Sequence, residues 1–404
     1  MTAPTPATAT RPTDSTSLLA TARGLAAAFA DRAAEHDAAG RFPTADVEDL
    51  RAARMLGLMV PARLGGAEAG FAGYTAVATE LATGAAATAL LFNMHASVTG
   101  ALAATPDDLA RALGAPESWF DARDRILVDA ADGAFYAVAA SERGAGSRLS
   151  QVRTCYTRTA RGYRITGAKA FVSGAGHADA YLVAARAPEL GADGAPVVSQ
   201  FLVPAGPGVM VEETWDSLGM RATGSHDLHL DVEVPADALL GGLEGLALLL
   251  AQVMPQWLVA SYAAVYVGVA RSAVDAAVAH LQQRDLVGLP AARARIGRAD
   301  AAVAAAELAV HEAAVRVDAD PGSAETNRWV WRAKLLAGDT AADVAASMLE
   351  AAGTSVTRRG HPLERIFRDA RCGALQPATS DVCADWLGVA ALGGDPHAAA
   401  VPRW

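Results

Sequence analysis

The hydrophobic period of this chain changes twice, and that change constrains the fold more than any single residue. Up to about residue 132 the apolar residues recur at three- and four-residue steps, as in Leu18, Leu19, Ala22, Leu25 and Ala26. That is the spacing of one helix face. Between about 133 and 236 the period falls to two. There Leu228, Leu230, Val232 and Val234 alternate with Asp227, His229, Asp231 and Glu233, as in a strand with one buried side. From about 237 the helical period returns. Helices, then strands, then helices mark an α+β chain with segregated elements, not an alternating α/β sheet.

Residues 1–15 are rich in Thr, Pro and Ala and lack the apolar core of a signal peptide, so a disordered tail is expected. Residues 16–132 are expected to form an N-terminal helical domain, with helical runs over Val47–Leu58 and Tyr74–Ala104 around the Gly-rich loop Arg63–Gly70. Residues 133–236 read as an antiparallel β-domain. In residues 237–404, long helices fit Leu246–Arg284, Ala291–Asp318, Asn327–Ala352 and Thr379–Leu392, broken at Gly288–Pro290, Asp320–Ser323 and Gly353–Pro362.

Hydrophobic residues make up 52% of the 404, and charged ones only 19%. So apolar a chain buries a large core and has surface left to share between subunits. A net charge of −10 with no stripe of Lys or Arg excludes a nucleic-acid partner. Leu248–Ala270 is long and apolar enough to span a bilayer. It is broken by Gln252, Pro255 and Gln256 and lacks a basic flank, so no membrane span is expected and a buried bundle helix fits better. Cys155, Cys372 and Cys383 show no zinc or redox spacing. They read as reduced thiols of a cytoplasmic protein without a metal site.

Five segments carry chemistry. They are Phe42–Pro43 with Gly57–Pro61 and Gly65–Gly66; Ala140–Ser147 (ASERGAGS); Ile165–Ser173 (ITGAKAFVS); Leu218–Arg221 leading to Val234–Pro235 and Leu240–Gly241; and Glu364–Arg371 (ERIFRDAR). The loop Ser141–Ser147 offers backbone N–H groups and Ser hydroxyls to a polar or anionic ligand, or is an ordinary Gly-rich turn. Phe171 and Ser173 fall at alternate strand positions and so are expected to share a face.

In this order and spacing the five segments resemble the acyl-CoA dehydrogenase superfamily, over nearly the whole chain. The resemblance implies an N-terminal helical domain, a central antiparallel β-barrel domain and a C-terminal four-helix bundle, with a flavin between sheet and bundle. It implies flavin contacts by Ser141, Gly146 and Ser147, with Phe171 stacking on the ring and Ser173 bonding near its reactive nitrogen. Arg284 matches the family arginine that reaches the FAD diphosphate of a neighbouring subunit, although Val287 replaces the phenylalanine that usually follows. Gly353 and Thr354 match a turn at the neighbour's adenosine part, or form a plain helix cap. Thr379 matches a threonine two residues past the catalytic glutamate. A homodimer or homotetramer follows from such sharing.

The glutamate itself is missing. Family dehydrogenases take a proton alpha to a thioester carbonyl with a carboxylate, and Pro377 stands in its place. Some members carry the acid on the long central helix, near Leu258 here. No acid lies within four residues of Leu258 or three of Pro377. Asp381 is the nearest replacement base, or simply an acid in a helix's first turn. The positions near Gln256 and Val259 are uncharged, which points from coenzyme A towards a small or carrier-bound substrate.

One branch of the superfamily lacks the glutamate and uses reduced flavin and dioxygen. This chain resembles it at Asn93-Met-His95, at Ser173, and from Arg368 to Gly388, with Gln376 where that branch tends to have histidine. His95 then reads as a proton donor, or as a satisfied core residue. The chain is thus expected to be a flavin-dependent oxidoreductase holding FAD, or reduced FMN or FAD supplied by a reductase partner. The missing acid tilts it towards a monooxygenase. Dehydrogenation with a displaced base, and a non-catalytic flavin-binding scaffold, are the alternatives.

Overall fold

A computed structural model describes residues 15–192, 194–396 and 398. The expected disordered tail lies outside those residues except for Ser15, which instead opens the first helix. Six helices come first: α1 (Ser15–Ala39), α2 (Thr44–Ala52), α3 (Phe71–Gly84), α4 (Ala86–Ala104), α5 (Asp107–Leu113) and α6 (Glu117–Ala131). Seven strands follow: β1 (Tyr136–Ala139), β2 (Cys155–Arg158), β3 (Gly162–Val172), β4 (Ala180–Leu190), β5 (Pro196–Pro204), β6 (Val209–Glu212) and β7 (His226–Pro235). Six more helices follow among the described residues: α7 (Leu246–Val253), α8 (Ala260–Gln283), α9 (Pro290–Ala319), α10 (Ala324–Ala352), α11 (Pro362–Ala370) and α12 (Ser380–Ala391).

Two of the expected helices are each a pair. The run Tyr74–Ala104 breaks at Ala85, which is extended at φ −145° and ψ 109°. The run Leu246–Arg284 breaks at Pro255, whose ring denies the helix a backbone donor. Met254 before it leaves helical space at φ −131° and ψ 62°. Only after a short turn, Pro255–Trp257, does α8 start.

The strands make one curled sheet in which β7 lies between β3 and β6, and β2 pairs with β3. The all-antiparallel expectation is corrected at β4. That strand pairs antiparallel with β5 but runs parallel to β1 and, further along, to β2. Parallel neighbours require a long crossover, and the chain from Ala140 to Asp179 supplies it. Its first part is the loop that carries the candidate site.

Small residues set how close the helices come. A Cβ on Gly268 of α8 would lie 2.3 Å from the Thr79 carbonyl of α3, and one on Gly84 would lie 2.0 Å from the Ala26 carbonyl of α1. Thr79 Oγ1 donates to the Ala264 carbonyl at 3.0 Å across the first of these contacts. This is where the alanine-rich composition goes: α8 and α10 bury alanines on several sides, and close packing compensates for small side chains. Asp318 of α9 ties the helical regions together by accepting from the Phe71 and Ala72 amides at 2.6 and 2.9 Å. Two helical stretches, Ala86–Ala104 and Pro255–Gln283, are long and apolar enough to cross a membrane, but 83% and 78% of their apolar windows are buried in the protein.

Candidate active site

The loop after β1 is fastened by a buried charge pair. Lys169 Nζ of β3 donates to Glu142 Oε1 at 2.7 Å. Glu142 also accepts from the Arg153 and Thr154 amides at 2.6 and 3.0 Å. Burial pulls the Glu142 pKa up, but Lys169 and the two amides outweigh it and hold it below the usual range. Glu142 and Gly146 then exchange backbone hydrogen bonds of 3.0 and 2.8 Å, closing a tight loop. Gly144 and Gly146 hold φ of 86° and 62° there, a region glycine enters without strain. A Cβ at either would meet nothing within 4 Å, so the loop's outer face is open.

A pocket of about 550 Å³ lies on that face, lined by residues 142–148 and Phe171. Ser147 lines it and Ser141 directly precedes the lining segment; neither hydroxyl has a protein partner among the described residues. The alternation expected for Phe171 and Ser173 is interrupted. β3 ends at Val172, its pairing with β7 slips between Lys169 and Val172, and Phe171 takes φ 59°. A non-glycine residue held there is strained. The result is an aromatic ring left 57% exposed, edge-on to Trp215 at 6.2 Å. Ser173 is buried just beyond, bonded to Ser225 Oγ at 2.9 Å. An exposed aromatic ring, unpartnered hydroxyls and an open glycine loop together fit the flat, polar-edged ring of a flavin.

His95 lies in the core, away from any free face. The Tyr136 amide donates to Nδ1 at 3.1 Å, and Nε2 sits 2.7 Å from the Leu56 carbonyl. The first bond needs a bare Nδ1 and the second a protonated Nε2, so the ring is neutral with both nitrogens engaged. Burial lowers its pKa to about 4. The structure thus gives His95 the role of a satisfied core residue and leaves the proton-donor role without a free nitrogen.

The place of the missing glutamate is equally clear. Thr379 caps α12, its Oγ1 accepting from the Val382 amide at 3.3 Å, and Asp381 is exposed in the first turn. That is the helix-start arrangement, in which an acid faces the positive end of the helix. Beside Pro377, Gln376 Oε1 accepts from the fully buried Tyr266 hydroxyl at 2.7 Å. Asp369 is the buried acid of this region, and its Oδ1 is committed to the Met220 amide at 2.6 Å.

Arg284 lies at the end of α8, and the turn that begins at Gly353 and Thr354 approaches that helix at His280. Arg284 caps that helix and is exposed. Gly353 caps α10 at φ 84°, and Ser355 Oγ lies 3.2 Å from His280 Nε2 in the last turn of α8. Sequence reasoning named both groups of residues but missed Lys169 with Glu142, and the Ser225 and Thr223 hydroxyls behind Ser173. A lysine inside the apolar run AKAFV was the available signal for the first. Nothing local signalled the second.

The fold and this site define a class, and comparison with known proteins agrees. The acyl-CoA dehydrogenase N-terminal, middle and C-terminal domain models match residues 12–108, 137–232 and 260–380. Cyclohex-1-ene-1-carbonyl-CoA dehydrogenase of Geobacter metallireducens is 30% identical over 88% of this chain and 91% of its own. A dibenzothiophene monooxygenase of Rhodococcus erythropolis is 27% identical over 91% of each chain. The crystal structure of FMN-bound TdsC from a Paenibacillus species superposes with a TM-score of 0.80 at 26% identity, covering 93% of this chain and 97% of that one. The chain belongs to the acyl-CoA dehydrogenase superfamily. It is a flavin-dependent oxidoreductase.

Proposed function

We propose that this enzyme is a monooxygenase that uses reduced flavin and dioxygen on a small, uncharged substrate or one presented on a carrier. The observation that carries this reading is the absence of a usable carboxylate among the described residues between α11 and α12. Pro377 has no proton-accepting atom, Asp381 is a helix-start acid facing solvent, and Asp369 is locked onto a backbone amide.

Ser141, Gly146, Ser147, Phe171 and Ser173 would hold the flavin ring. When bound in reduced form, the flavin supplies the electrons that activate dioxygen. The protein's own part is to orient the ring with Phe171 and the Ser hydroxyls, and to keep water out. Arg284, Gly353 and Thr354 would serve the flavin of a neighbouring subunit, with Thr379 acting only as the α12 cap. A homodimer or homotetramer fits that division, as do Leu308 and Val315 of α9, which stand 68% and 44% exposed.

The substrate class is supported by a cavity of about 100 Å³ between α4, α5, α6 and α7, lined by Leu102, Leu109, Trp119, Leu246, Leu250 and Met254. Its lining includes no lysine or arginine, the groups a coenzyme A or nucleotide phosphate would call for. The cavity's roof, α7, packs against the turn Leu149–Gln151 that continues the flavin loop. The matching relatives that oxygenate dibenzothiophene, and the FMN in the Paenibacillus protein, support the reading. A reductase supplying the flavin is the implied partner.

The test is to incubate the protein with FMN, a flavin reductase, NADH and labelled dioxygen, with indole and dibenzothiophene as probes. Label in a probe is the expected result. Reductase-dependent flavin turnover with no label in any probe counts against the reading.

A further inference from the structure

Ser173 is the outer end of a buried chain of hydroxyls. Its Oγ lies 2.9 Å from Ser225 Oγ, and Ser225 Oγ lies 2.7 Å from Thr223 Oγ1. Thr223 Oγ1 donates to the Met220 carbonyl at 2.9 Å. The far end is pinned, because the Met220 amide is held by Asp369. Ser173, Ser225 and Thr223 are 8%, 4% and 0% exposed, so water does not interrupt the chain.

Each hydroxyl carries one proton to donate, so the direction of one bond sets the rest. With Thr223 donating to the Met220 carbonyl, Ser225 must donate to Thr223 and Ser173 to Ser225. Ser173 then has only lone pairs left to offer a flavin placed beside it. Reversing the chain would turn the Ser173 proton outward, but it would forfeit the bond from Thr223 to Met220. The Met220 carbonyl itself would not be orphaned, because Trp215 Nε1 also donates to it at 3.3 Å and the Thr223 amide at 3.1 Å. Both directions are therefore reachable, and the unreversed one has one hydrogen bond more.

A flavin distinguishes these two states. Its reactive ring nitrogen carries a proton when reduced and only a lone pair when oxidised. An acceptor at Ser173 suits the first and a donor suits the second. We propose that Thr223 and Ser225 are positioning residues that set Ser173 as a hydrogen-bond acceptor and so make the site select reduced over oxidised flavin. This rests on the placement of Ser173 beside the flavin's reactive nitrogen.

The test compares dissociation constants for oxidised FMN and for anaerobically reduced FMN. Wild type should bind reduced FMN more tightly. In Thr223→Val the Ser225 proton has only Ser173 to go to, which turns the Ser173 proton outward. The ratio should then shift towards oxidised FMN by roughly threefold to tenfold, the worth of one net hydrogen bond. Thr223→Ser restores the hydroxyl and should restore the ratio. Ser225→Ala, which cuts the chain at a second place, should move the ratio the same way and stands in if the valine variant does not fold. A wild-type ratio in folded Thr223→Val or Ser225→Ala overturns the inference. If Ser173→Ala also leaves both constants unchanged, the placement of the flavin has failed, and not merely the hydroxyl chain.

Discussion

Lys169 and Glu142 form an ion pair of 2.7 Å whose side chains are 0% and 5% exposed. It joins β3, which contains Phe171 and ends one residue before Ser173, to the loop that carries Ser141, Gly146 and Ser147. One pair of charges therefore sets the spacing between the two halves of the proposed flavin cradle. Such a pair gains little over an apolar substitute, but removing one partner strands the other charge. Glu142→Gln should destabilise the protein by about 3 to 5 kcal/mol and weaken FMN binding together with it. Urea denaturation and flavin fluorescence check both effects, and a loss of binding without a loss of stability would contradict this role.

His95 should make the protein acid-sensitive. Its folded pKa, pushed down to about 4 by burial, lies below the ordinary 6.5. The stability it confers is complete above about pH 6.5. It is lost as the pH falls through about 4, because only the unfolded chain takes up the proton. The loss over that window should be about 3 kcal/mol. His95→Gln should be less stable near neutrality and should show a flatter acid limb in denaturation curves.

Asp369 works in the opposite direction over nearly the same window. Burial raises its pKa from 3.8 to about 6. Its favourable contribution is complete below about 3.8 and is lost as the pH rises through about 6. Asp369→Asn keeps an oxygen for the Met220 amide but cannot titrate. The variant should lose the acid-side gain of about 3 kcal/mol, so its stability should fall more steeply than wild type between about pH 6 and 4. A slope identical to wild type would show that Asp369 ionises normally.

Gly100 of α4 is where Trp257 presses on the helix. A Cβ there would lie 2.2 Å from the far edge of the indole. Trp257 is also held edge-on by Phe71 at 4.9 Å, so it has little room to retreat. Gly100→Ala should cost about 1 to 3 kcal/mol, the usual penalty of overpacking. Adding Trp257→Phe should recover part of that loss if the clash is the cause. Thermal melts of the single and double variants decide this.

Periodicity made the order of helices, strands and helices legible, because the core face of each element repeats along the chain. The break at Ala85 was not legible, because it sits within an apolar run and only packing decides where such a run bends. Pro255 was visible as an interruption of the apolar stretch, yet the helix was expected to run through it. The antiparallel expectation failed at β4 because alternation reports which face is buried, not which way a neighbour runs. Ser141, Gly146, Ser147 and Phe171 were named from their motifs, and the fold brings the last three to one pocket. The exposure of Phe171 was not legible there, because it follows from a slip in strand pairing. Ser225 and Thr223 lie some fifty residues from Ser173, and only the folded sheet brings their hydroxyls together.

The most direct test of the central claim is anaerobic titration of the oxidised, FMN- or FAD-loaded protein with butyryl-CoA and octanoyl-CoA, read at the visible flavin band. An enzyme without a carboxylate base cannot remove the alpha proton that accompanies hydride transfer. The account predicts that the band is unchanged by either thioester, while a reductase with NADH bleaches it. Bleaching by a thioester alone would contradict the account and establish dehydrogenation by a base elsewhere in the site.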